Sequence, residues 1–199
     1  PASILDSSIV WSCTAGNVKF VGLNKDKGRT VLVHGNAATE AGKLSVTVPY
    51  VSPSPTIDFR IKEITPIKLY VGIVADNTGS NPVITPSSVN TIIGQMNGIW
   101  AQACRRFDLQ GSIHIISNSL FKAIDSETRE TNLLAQLNGF NGGTGLELYF
   151  SSNCTYRACL GISRHGHGAI AYVQNNNHLW NTAAHELGHS QGLSGNIDY

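Results

Sequence analysis

Two histidines near the C-terminal end of the sequence are separated by about one helical turn. His185 and His189 lie four residues apart, and Glu186 directly follows the first of them. On an α-helix, residues four apart share one face. Two imidazoles at this spacing could hold one Zn²⁺, with the carboxylate of Glu186 beside the metal as a general base. The alternative is an ordinary helix with two surface histidines and a chance glutamate.

The residues around this pattern predict the helix that it needs. Leu179, Ala183 and Leu187 recur at four-residue spacing, as expected of a row that packs inward. Three asparagines at 175–177 precede the row and could cap the helix. We therefore expect a helix that carries both histidines on a stripe next to its apolar face.

The stretch from His185 to Leu193 resembles the extended motif H-E-x-x-H-x-x-G-x-x-H of the metzincin zinc metalloproteases. In that family the glycine ends the active-site helix in a sharp turn. Gly192 fits, because a positive φ at a helix end costs least without a Cβ. The resemblance implies a peptidase in which Zn²⁺ polarises the scissile carbonyl and Glu186 takes a proton from metal-bound water.

The sequence departs from the family at the third zinc ligand. That ligand should stand three residues after Gly192, where this chain has Gly195, which has no side chain. Catalytic zinc normally has three protein ligands. Asp198 could supply the third, the ligand could lie beyond Tyr199 in a longer chain, or the site could be crippled. The family's methionine turn is also missing, since Met96 lies far upstream; a C-terminally truncated chain is the simplest explanation of both gaps.

Composition limits the classes of partner and the compartment. The net charge of the 199 residues is +1, which argues against an electrostatic nucleic-acid or membrane-surface partner. There is no apolar run of about eighteen residues, so we expect no membrane span. The low charge content and the abundance of Ser, Thr, Asn and Gly favour a secreted, extracellular or cell-surface protein.

The four cysteines allow several arrangements. Cys154 and Cys159 lie five apart in a polar stretch, where a small disulfide loop would suit an oxidising compartment. Cys13 and Cys104, the latter expected within a helix, could pair or remain free and buried. Cys13 could instead be an inhibitory thiolate from a pro-segment, as in some relatives of the resembling family.

Residues 1–64 predict an all-β module. Short β-branched runs at 17–21, 30–34 and 44–48 are separated by turn-rich segments. Their spacing suits a small β-sandwich and resembles bacterial immunoglobulin-like modules. The segment could also serve as a pro-segment.

Residues 65–199 alternate strands with helices, which gives an α+β or α/β fold class. Strands are expected at 67–74, 112–116, 146–150 and 169–173, and a short helix at 128–137. Apolar residues at helical spacing from Val89 to Phe107 predict a long helix capped by Ser87 or Ser88. This order resembles the N-terminal half of a metzincin catalytic domain, with a twisted mixed sheet, a backing helix and an active-site helix. In that family an antiparallel edge strand binds the substrate backbone, and the candidate is 160–166.

The remaining histidines are weaker candidates. His165 and His167 flank a glycine and could hold a second, structural ion, although an exposed loop is the more ordinary interpretation. His34 and His114 lie in β-rich runs and are expected to be structural. His178 is expected at the start of the helix, in a capping or surface role.

The sequence thus predicts a zinc-dependent endopeptidase acting on extracellular proteins, with Glu186 as base and His185, His189 and Asp198 as ligands. Two other functions remain open. One is a catalytically impaired binding or adhesion module, favoured by the missing ligand at Gly195. The other is a peptidase restricted to glycoproteins.

Overall fold

The computed structural model describes residues 6–15, 18–21, 26–35, 39–137, 144–164 and 168–193. The chain divides into two compact units, Pro1–Glu63 and Ile64–Tyr199. The change in the sequence from an all-β pattern to alternating strands and helices placed this boundary near 64–67.

The regular structure described in the first unit is strand, apart from a short 3₁₀ turn at Asp6–Ser8. All pairings are antiparallel, in one sheet of order β1-β4-β5 and a second pair, β2-β3. Two of these strands, the first and the last, were not predicted from the sequence. The five strands are β1 (Val10–Cys13), β2 (Val18–Val21), β3 (Leu32–Gly35), β4 (Thr39–Thr47) and β5 (Thr56–Ile61).

The second unit is mixed α+β, with a six-stranded mixed sheet and three α-helices in the described part. The sheet runs in the order β12-β13-β10-β6-β7, and β8 also pairs with β6. All its pairings are parallel except β12 with β13. The sheet strands are β6 (Thr65–Ala75), β7 (Arg105–Leu109), β8 (His114–Ser117), β10 (Leu146–Ser151), β12 (Gly161–Arg164) and β13 (Gly168–Tyr172); two short strands, β9 (Ala123–Ile124) and β11 (Asn153–Cys154), pair with each other.

The helices of this unit are α1 (Pro86–Trp100), α2 (Glu127–Leu134) and α3 (Leu179–Ser190). The long helix predicted to reach Phe107 ends earlier, and Phe107 lies in β7. A 3₁₀ turn at Ala101–Ala103 follows α1, and Cys104 then takes a left-handed φ of 54°, which ends the helical path. Cys104 is therefore outside the helix in which it was expected.

The cap of α1 was also predicted wrongly. Thr85 occupies the N-cap, and its Oγ1 accepts a hydrogen bond of 3.2 Å from the backbone N–H of Ser88. Pro86 follows as the first helical residue, a position where the missing N–H costs no helical hydrogen bond. Neither Ser87 nor Ser88 is the cap.

The sheet separates two hydrophobic clusters because side chains alternate between its faces. On one face α1 and α3 pack over Leu69, Val71, Leu148 and Phe150. On the other, the residues of α2 pack with Val74, Tyr149, Ile170 and Tyr172. Among the described residues, no helix is long and apolar enough to cross a membrane.

Candidate metal centre

The predicted apolar row of α3 is confirmed. Leu179 is 9% exposed, and Ala183 and Leu187 are fully buried in the cluster shared with α1. The hydroxyl of Ser190 donates to the backbone carbonyl of Gly168 at 2.9 Å, which fixes the end of the helix to β13. The packing of this row fixes the rotation of α3 and therefore the direction in which its other stripe faces.

An asparagine forms hydrogen bonds at the start of α3, although it does not occupy the N-cap position. His178 occupies the N-cap position without a side-chain cap hydrogen bond. Asn176 instead accepts from the backbone N–H of His178 at 3.2 Å. The amide of Asn176 also donates to Thr182 Oγ1 and to the carbonyl of Tyr172, both at 3.1 Å. It therefore connects the end of β13 to the first turn of α3.

The C-terminal end of α3 is closed by a Schellman motif. Gly192 has φ +83°, as the glycine at this position predicted. Its N–H donates to the carbonyl of His189 at 2.9 Å, and the N–H of Leu193 donates to that of Gly188 at 3.1 Å. This turn brings the carbonyl oxygen of Leu193 back over the helix end.

The two predicted ligand histidines face the same point. The Nε2 atoms of His185 and His189 are 2.9 Å apart, and the two rings are perpendicular with centroids 4.5 Å apart. Nδ1 of His189 lies 2.8 Å from the carbonyl oxygen of Leu193. Because a carbonyl oxygen only accepts, Nδ1 carries the proton, and Nε2 of the neutral ring presents its lone pair.

This arrangement fits a divalent ion with nitrogen ligands. Tetrahedral Zn²⁺ with bonds of about 2.0–2.1 Å places two ligand nitrogens about 3.3 Å apart. The observed 2.9 Å separation needs an opening of only a few tenths of an ångström. The backbone carbonyl behind His189 is an outer partner of the kind that orients metal-bound histidine.

The third ligand is not found within the part of the chain that the structure describes. There, no group of three or more His, Cys, Asp or Glu side chains is placed to hold a metal ion. Asp198 and Gly195 lie outside the described residues, as do His165 and His167. The assignment of Asp198 as ligand remains a prediction.

The side chain of Glu186 extends from α3 toward the edge strand β12. Burial raises the pKa of its carboxyl, and a hydrogen bond from Ser163 and the nearby His185 and His189 oppose that rise. A Cβ at Gly161 would come within 2.7 Å of Cγ of Glu186 and of Cγ2 of Thr182. The glycine thus makes room for the carboxylate at the strand.

His185, Glu186 and His189 all line a cavity of about 930 Å³. Its lining includes the apolar residues Ile99, Trp100, Leu160 and Leu193. Asparagines at 175–177 and Asn181 add polar groups to the same lining. The size suits a peptide-length or drug-sized ligand rather than a bare ion.

The candidate substrate strand is at the edge of the sheet and antiparallel to β13, as expected for 160–166. Its side chains alternate. Gly161 and Ser163 face α3, while Ile162 and Arg164 contact the α2 side. Sequence reasoning missed both Gly161 and Ser163, because their contacts with Glu186 join segments more than twenty residues apart.

The other predicted residues are placed as follows. His178 is exposed, and His34 and His114 lie in β3 and β8.

None of the four cysteines, all within described segments, is bridged. Burial raises the pKa of the Cys159 thiol to about 11, and the nearby thiol of Cys154 contributes to this rise. Cys13 and Cys104 belong to different units.

No protein-family model matches the chain, and the comparison with curated proteins gives no match.

Proposed function

We propose that the protein is a secreted zinc endopeptidase of metzincin-like architecture. The observation that carries this proposal is the pair of Nε2 atoms 2.9 Å apart, with one tautomer set by the Leu193 carbonyl. His185 and His189 would hold the ion, and Asp198 is the proposed third ligand. Bound Zn²⁺ would supply Lewis-acid polarisation of a carbonyl and acidify a water molecule.

Glu186 is suited to the role of base in this reaction. It directly follows His185 on α3 and lines the same cavity as both histidines. Its carboxylate would take a proton from the attacking water and pass it to the leaving amine. Ser163 would hold the carboxylate toward the cleft from the edge strand.

The edge strand and the cavity would bind the substrate. β12 is the terminal strand of the sheet path, so an extended peptide could add to it by main-chain hydrogen bonds. The apolar lining residues Trp100, Leu160 and Leu193 would contact an apolar side chain of the peptide. Extracellular proteins or glycoproteins are the proposed substrate class.

The test combines metal content with peptidase activity. We expect the purified protein to contain zinc and to cleave unfolded casein. Glu186→Ala should retain zinc and lose activity by about 10²–10⁴-fold, the usual contribution of a general base. Asp125→Asn removes an exposed carboxylate paired with Arg129 and serves as the control. Proteolysis that persists in Glu186→Ala would refute the assigned base.

Gly195, which has no side chain at the position of the motif's third ligand, favours one alternative, an inactive module that binds proteins. A full-length protein that purifies without zinc, and that cleaves neither casein nor glycosylated mucin, would support this alternative over the peptidase. Cleavage of mucin alone would support a glycoprotein-directed enzyme.

A further inference from the structure

A buried carboxylate on α2 lies outside the metal centre and has no role in the proposed reaction. The side chain of Glu130 is 1% exposed. It belongs to α2, which packs on the face of the sheet opposite to α3. A buried carboxylate is costly unless it is paired and hydrogen-bonded. Its partners therefore indicate what this charge holds in place.

Three groups converge on Glu130 from two neighbouring segments. The hydroxyl of Tyr156 donates to Oε2 at 2.6 Å, and the guanidinium of Arg157 bonds the same oxygen. Nε of Arg164 lies 3.5 Å from Oε1. The guanidinium of Arg157 also stacks 4.8 Å above the ring of Tyr156. One carboxylate thus holds the segment before β12 and the last residue of β12.

These partners continue directly into the candidate cleft. The residues after Arg157, namely Ala158, Cys159, Leu160 and Gly161, line the cavity that contains His185 and Glu186. We call residues 156–161 the cleft wall. Its first two residues bind Glu130, and the rest face the cavity.

The edge strand connects the same carboxylate to the base. Ser163 lies close to Glu186 on one face of β12 and lowers the pKa of its carboxyl, and the neighbouring Arg164 pairs with Glu130 and Glu127 on the other face. These contacts lie on opposite faces of β12 because successive side chains of a strand alternate. β12 is thus fixed between α2 and α3.

We propose that Glu130 is a positioning residue that fixes the cleft wall and the edge strand for peptide binding. The proposal rests on the proposed peptidase function. Glu130 touches neither the histidines nor the cavity, so its loss should weaken substrate binding more than it slows the chemical step. A neutral amide in its place would leave the guanidinium of Arg157 without its counter-charge, and Arg164 with Glu127 as its remaining carboxylate.

The test compares Glu130→Gln with two other variants on a quenched fluorescent peptide that the wild type cleaves. We expect KM to rise about tenfold and kcat to stay within about twofold, since charge-assisted hydrogen bonds to the wall are lost. Tyr156→Phe removes one hydroxyl and should raise KM about threefold. The control Arg106→Gln breaks an ion pair with Asp108 on β7, at the opposite edge of the sheet, and should change neither constant.

A second readout does not need activity. In Glu130→Gln, amide hydrogens of 156–164 should exchange faster while those of α3 and the zinc content stay unchanged. If Glu130→Gln is too unstable to purify, Tyr156→Phe carries both measurements. Unchanged exchange in the wall, or a loss of kcat at constant KM, would overturn the proposal. A wild type without zinc or peptidase activity refutes the proposed function instead, and the exchange result still decides whether Glu130 positions the wall.

Discussion

At the scale of single residues, the backbone at the end of α3 determines which nitrogen of His189 is available. The Leu193 carbonyl accepts from Nδ1, and it is there because the chain turns back at Gly192. A local sequence signal, a glycine three residues after the second histidine, thus controls a proton on the ring. The same turn at Gly192 therefore ends α3 and orients the ring of His189.

This connection predicts the effect of Gly192→Ala. A Cβ at φ +83° is disfavoured by about 1–2 kcal/mol. Relaxing that strain would move the Leu193 carbonyl away from His189, and loss of such an outer partner lowers metal affinity by about 10–100-fold. The affinity can be measured by competition with a zinc-binding dye.

The matched control is Gly98→Ala in α1, where a Cβ would meet open space. A glycine inside a helix costs about 0.5–1 kcal/mol relative to alanine, so this variant should unfold at a higher temperature. Its zinc affinity should equal that of the wild type. Equal zinc affinity in Gly192→Ala would show that the Schellman turn does not orient the ligand.

At the scale of elements, local sequence patterns predicted the helices and helix ends that local interactions determine. The apolar spacing of α3 and its terminal glycine are sequence features, and the structure contains the helix they describe. α1 was predicted too long, since Phe107 continues the helical spacing although it lies in β7. The 3₁₀ turn at Ala101–Ala103 and the left-handed backbone at Cys104 separate the two, and a cysteine at this position does not predict such a backbone.

The contacts that complete the site could not be read from the sequence. Ser163 and Gly161 meet Glu186 through the packing of a strand on a helix, and Glu130 meets Arg164 from a third element. None of these pairs has a characteristic spacing along the chain. Their residue types are common, so only the fold distinguishes them from other serines, glycines and glutamates.

The cysteine pair beside the cleft wall gives a prediction at this scale. Cys154 and Cys159 lie close together and are both partly buried. Treatment with oxidised glutathione should join them, with loss of two hydrogens and release of reduced glutathione. Closing so short a loop should stabilise the protein by about 2 kcal/mol.

Mass spectrometry of tryptic peptides would detect the bridge, and thermal unfolding with and without dithiothreitol would measure its contribution. Cys159→Ser is the control, because it removes the bridge and should make the unfolding temperature insensitive to dithiothreitol. Complete alkylation of both thiols after oxidation would contradict the prediction, and the pair would then be two buried free cysteines.

At the scale of the whole molecule, the two units differ in how much they bury. The second unit has fully buried residues on both faces of its sheet, such as Val71 and Tyr149. In the first unit, none of the side chains that the structure describes is fully buried, and Ile57 is 59% exposed. Since apolar burial is the main stabilising contribution, we expect the first unit to be the less stable.

The predicted consequence is unfolding in two steps. In rising urea, amide hydrogens of β4 and β5 should lose protection at lower concentration than those of β6 and β10. Hydrogen exchange measured by mass spectrometry separates these peptides. Zinc affinity should survive the first step, because His185, Glu186 and His189 all belong to the second unit. Simultaneous loss of protection in both units, or loss of zinc binding with the first, would show that the first unit supports the metal centre.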